Sequence, residues 1–103
     1  MSKLSDAKQV KKAEIQEKNL RRQELNDIRT VLSSASGRRL MWRILTECKT
    51  FGSVYSEDTS YMGYLAGRQN LGHFIMSEIV EADENLLLKL MKDNYKDKEK
   101  VHE

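Results

Sequence analysis

The side chains in this chain that could carry out chemistry are few and scattered. Cys48, His73 and His102 are the thiol and imidazole groups. A metal site needs several such ligands at close spacing. These three are isolated, so neither a metal site nor a catalytic residue is assigned. Cys48 and His73 could in principle pair as nucleophile and base. But Cys48 falls among Ile44, Leu45 and Phe51 on an apolar helical face, where a thiol packs as a small apolar group. Glu57 and Asp58 are adjacent in a connection and read as helix-capping groups rather than as a carboxylate pair. No strand precedes a glycine-rich loop that could cradle phosphate. No cofactor is expected, and the chain reads as a non-enzyme.

The residues with more to say are arginines and glycines. Arg68 sits on an otherwise apolar helical stripe, one turn from Tyr64 and one turn from Gly72. A guanidinium there must find carboxylates, carbonyls or aromatic faces for its donors. Tyr64, Glu47 and the carbonyls at a helix end are the expected partners, with Arg68 clamping two helices together. Gly63, Gly67 and Gly72 occupy a helix interior, where each costs about 1 kcal/mol relative to alanine. Together with Gly37 they are read as positions of close helix packing. Trp42, Tyr61, Tyr64 and Arg68 are the candidate protein-interface residues, tryptophan above all because it is enriched at interfaces.

The elements that must position these residues are helices. The chain has 103 residues, no proline, and 39% apolar against 33% charged residues. That supports one small domain at most, with a marginal core that gains from packing on partners or copies. The expected fold is all-α: three main helices plus a short C-terminal helix. Residues 1–32 form a long polar N-terminal helix or arm, residues 33–91 the helical core, and residues 92–103 a charged tail. The first helix is predicted over 5–32, with a firm apolar stripe only from Leu25 to Leu32. The Ser33–Gly37 stretch breaks and restarts the helix, serine hydroxyls capping it. The second helix is predicted over 37–50 and the third over 59–81, capped by Asp58 or Thr59. A restart at Asp83 precedes the short helix of Leu86, Leu87, Leu90 and Met91.

The net charge of +2 is unevenly spread. Residues 1–22 carry seven bases against three acids, a net +4, which leaves −2 for the rest. Lys11, Lys12, Arg21 and Arg22, with Arg38, Arg39 and Arg43 of the second helix, are the possible nucleic-acid contacts. Acids interleaved with the arm's bases weigh against a dedicated polyanion arm. The connection from Phe51 to Asp58 is too long for a helix-turn-helix. No apolar run approaches a membrane span, and residues 1–12 lack the apolar centre of a secretory signal. The expectation is a soluble protein made in a cytoplasm.

Residues 33–80 carry a recognisable order: Ser/Thr-x-x-Gly-Arg, an apolar helix ending near Cys-x-x-Phe, a polar loop, a Thr, an aromatic, then a second Gly-Arg with a further Gly four residues on. In this pattern Gly37, Arg38, Leu40, Ile44, Leu45 and Cys48 fall in the first half. Phe51, Thr59, Gly67, Arg68, Asn70, Leu71 and Gly72 complete it. The pattern resembles a small helical family from the virion gene clusters of tailed phages, named for a Bordetella phage protein. Ala66 stands where the family usually has an acid, so no fixed ion pair is carried over to that position. The resemblance implies a virion protein without enzymatic activity, synthesised in the host cytoplasm. Its implied place is near the portal or head–tail junction, or among the ejected internal proteins. Its implied partners are other virion proteins and copies of itself. A small DNA- or packaging-associated factor is the alternative.

Overall fold

The computed structural model describes the backbone of residues 3–102 and the side chains of residues 3–94. Three helical elements account for most of it, and no strand occurs among the described residues. Helix α1 runs Lys3–Val31, α2 Ala35–Glu47 and α3 Thr59–His102. Both α1 and α2 pack against α3. The molecule is elongated and flat, measuring 70 × 38 × 16 Å.

The boundaries follow from local chemistry. Ser34 is extended (φ −103°, ψ 151°), and its hydroxyl accepts from the Gly37 N–H. This satisfies one of the free donors at the start of α2. The helix therefore starts earlier than the predicted Gly37. It also ends earlier than Thr50, because Lys49 turns left-handed at φ 57°. The Thr50 N–H then bonds back to the Leu45 carbonyl at 3.2 Å and the Lys49 N–H to the Thr46 carbonyl at 3.0 Å, the two bonds of a Schellman helix end. Asp58 caps α3, its carboxylate accepting from the Tyr61 N–H at 3.2 Å.

The restart expected at Asp83 is present: within the span Thr59–His102 the Asp83 backbone is extended (φ −174°, ψ 110°), so two helical stretches meet there at a kink. The Asp83 carboxylate accepts from the Asn85 N–H at 3.0 Å, the bond of an N-cap. After it no glycine or proline remains to stop the helix, which runs on through the residues expected as a tail.

The core is four side chains deep. Leu32, Leu45, Ile79 and Leu90 are fully buried, one each from the end of α1, from α2, and from either side of the kink. Ile28, Met41, Trp42, Ile75, Met76 and Leu86 pack around them. Each fully buried leucine or isoleucine contributes about 1.5–3 kcal/mol, so so few make a thin core. The helix ends need further support.

Candidate protein-interaction surface

Arginines supply that support at three helix ends. A helix leaves its last carbonyls without intrahelical partners. Cationic side chains bond and offset the partial negative charge there. Arg38 donates through Nη1 to the Leu32 carbonyl just beyond α1, at 2.9 Å, and through Nε to Asp93 Oδ2, at 2.9 Å. Arg68 donates to the carbonyl of Glu47, the last residue of α2. Its guanidinium lies 3.4 Å from Glu47 Oε2 and 5.7 Å from the centre of the Tyr64 ring. Arg29 donates through Nε to the Ala82 carbonyl at the kink, at 2.8 Å.

The turn after α2 is gripped by one face of α3. Gln69 Nε2 donates to the carbonyls of Lys49 and Gly52, each at 2.9 Å. His73 Nε2 lies 3.2 Å from the Thr50 carbonyl. Gly72 lets this turn approach: a Cβ there would sit 2.0 Å from Thr50 Oγ1 and 3.0 Å from Cys48 Cβ. Gly37 does the same for α1, since a Cβ would fall 1.8 Å from the Val31 carbonyl oxygen. Gly37 with Arg38, and Gly72 with Arg68, thus do parallel jobs, each seating a helix on the end of the helix before it.

Gly63 and Gly67 differ. A Cβ at either meets nothing within 4 Å, so neither serves close packing inside this chain. Trp42 is half-buried and stacks on Phe51 at 5.2 Å. Tyr61 and Tyr64 are exposed and stack on each other at 6.2 Å. Leu40 and Ile44 lie on the outward side of α2 and are also exposed, lining an open groove of about 460 Å³ with Arg43 and Arg68. A second groove, of about 330 Å³, runs between the end of α1 and α3. It is lined by apolar side chains, with Asp27 and Glu78 among them.

The expected cationic surface needs two corrections. Arg38 is buried by its bonds to Leu32 and Asp93 and cannot present itself to phosphate. Arg21 is held by Glu78 and Glu81. The bond to Arg21 holds the Glu78 carboxyl below its ordinary value of 4.5. Those carboxylates raise the Arg21 guanidinium further above its already high value. Lys11, Lys12, Arg22, Arg39 and Arg43 remain exposed.

Sequence reasoning found Arg68 with its Tyr64 and Glu47 partners, but it missed Arg29, Gln69, Thr50 and Asp93. A signal was present for Gln69: residues 68, 69, 72 and 73 repeat at helical spacing along one face. Cys48 is a free, buried thiol, and His73 is occupied by a carbonyl rather than by sulfur. Among the described residues no group of three His, Cys, Asp or Glu could hold a metal ion, and no helix is long and apolar enough to cross a membrane. The side chain of His102 lies outside the described residues.

The geometry defines a small all-helical protein with braced helix ends and apolar side chains left at its surface. Residues 28–92 match the model of the Bbp19-like phage proteins, and the chain belongs to that family. The matched span takes in the end of α1, all of α2 and α3 as far as Lys92. No curated protein and no solved structure gave a match.

Proposed function

We propose that this protein is a non-enzymatic virion component that works by binding other phage proteins, at the portal or among the internal ejected proteins, and by binding copies of itself. The observation that carries this reading is the solvent-facing arm. Apart from Ser5, every residue from Lys3 to Leu20 is exposed, Leu4, Val10, Ile15 and Leu20 among them. A helical stretch of this length with no packed face is marginal by itself in water, and a partner packed along it accounts for it better than the monomer does. The exposed Leu40, Ile44, Tyr61 and Tyr64 extend the candidate surface to α2 and α3. The phage family supports the setting.

The second reading is a DNA- or packaging-associated factor, favoured by the exposed Lys11, Lys12, Arg22, Arg39 and Arg43. Co-elution of the purified chain with purified portal protein, persisting as salt rises, supports the first reading. A mobility shift of duplex DNA that weakens steeply with salt, without portal binding, supports the second.

A further inference from the structure

The arm of α1 and the groove beside its other end carry complementary chemistry. Ile28, Leu32, Ile75 and Ile79 line the groove, together with Val31 and Phe74, which are 49% and 57% exposed. Asp27 and Glu78 border it. Beside Glu78, Arg21 is shared with Glu81 and, at 3.6 Å, with Glu24. Asp27 lies on the same groove, and Arg29 is tied nearby to the Ala82 carbonyl; four carboxylates against two guanidinia leave the rim an excess of negative charge.

The arm presents the opposite. Leu4, Lys8, Lys11, Ile15, Lys18 and Arg22 follow one another at alternating steps of four and three, which lays them along one side of a helix. All six are exposed, and no acid interrupts the row. At roughly 100° per residue, Asp27 and Val31 point to about the opposite side of α1. Residues 3–20 extend about 27 Å, and a helix of that length without a packed face is marginal in water. The arm cannot reach its own groove, because α1 is unbroken from Lys3 to Val31 and its last turns form one groove wall.

We infer that the arm of one copy seats in the groove of a second copy. Ile15 lies against Val31 and Phe74, while Lys11 and Lys18, one turn to either side, meet Asp27 and Glu78. This rests on the self-assembly in the proposed function and specifies it. The contact is head-to-tail. Each pair therefore keeps one free arm and one free groove, and the chain grows into a ring or a filament.

Size exclusion with light scattering on the full-length chain tests this. The expected result is a mass above the monomer that falls as salt rises. The triple variant Lys8→Glu, Lys11→Glu, Lys18→Glu runs as a monomer, and so does Phe74→Asp, both with unchanged helical circular dichroism. Mixing the two yields the mass of two chains, since one brings an intact groove and the other an intact arm. A wild-type monomer throughout the micromolar range overturns the contact, as does an associated triple variant or a mixture that stays monomeric. A monomer that shifts duplex DNA, and loses the shift in the triple variant, assigns the basic row to phosphate instead. Absence of self-association in a chain still found in particles overturns this contact and leaves the virion reading standing. Self-association in a chain missing from particles does the reverse.

Discussion

Arg38 donates to the Leu32 carbonyl oxygen over 2.9 Å, so the first turn of α2 closes the end of α1. The same guanidinium reaches Asp93, 55 residues on, and ties the last part of α3 to that junction. A cation that would otherwise be read as surface charge is thus the centre of the fold. Arg38→Ala removes both bonds and strands the Leu32 carbonyl. Loss of a buried charged partner costs about 3–5 kcal/mol, but Asp93 is 40% exposed and can rehydrate. The expected loss is about 2–3 kcal/mol in urea unfolding. Arg38→Lys keeps the charge without the planar fork and should recover only part of it.

The four glycines read as packing positions separate by substitution. Gly72→Ala pushes a Cβ onto Thr50 Oγ1, which bonds the Leu45 carbonyl at 2.7 Å. A loss of about 1–3 kcal/mol is expected. Gly63→Ala and Gly67→Ala meet open space in a helix and should gain about 0.5–1 kcal/mol. Thermal unfolding of the three variants checks the contrast. If Gly63 or Gly67 touches a partner backbone, its alanine variant gains stability while losing co-elution with that partner.

Much of this was legible in the sequence. The serines of 33–36, Asp58 or Thr59, and Asp83 stand as capping residues before helical patterns, and in the structure Ser34, Asp58 and Asp83 do the capping. Arg68 on an apolar stripe announced its need for partners, and two of them lay within reach of helical spacing or the preceding helix. Arg38 could not be read this way. Its partner Asp93 sits in a stretch whose mixed charge resembles a solvated tail, and only the tertiary path of α3 brings the two together. Gly72 lies on the apolar face of its helix, and Gly67, five residues earlier, is turned about 140° from it. Periodicity thus separates the two, and the turn after α2 packs against the one and not the other. The continuation of α3 past Met91 was hidden because charge alternation suits an exposed helix and a loose tail equally well.

Lys49 holds a left-handed conformation at the end of α2 with no glycine to ease it. A non-glycine residue there costs about 1 kcal/mol, and the Lys49 side chain is exposed. Lys49→Gly should therefore raise stability by about 0.5–1 kcal/mol, measured by urea unfolding, with the bond from Thr50 to Leu45 retained.

The bond from Arg21 sets an acid limit. The Glu78 carboxyl is held below its ordinary value of 4.5 in the folded chain. The unfolded state then binds the proton more readily, so the stabilisation is present above about that value and is lost as pH falls through the lower folded value. Thermal midpoints should decline on acidification below about pH 4.5. In Glu78→Gln the decline should be shallower, and the midpoint above pH 5 lower than in the wild type.

The most direct measurement is quantitative mass spectrometry of purified phage particles before and after genome release. The account predicts the chain in full particles, at several copies each. Retention after release puts it at the portal or tail, and loss on release makes it an ejected protein. Its absence from full particles, with the chain abundant in infected cells, would contradict the virion role and leave an intracellular binding factor in its place.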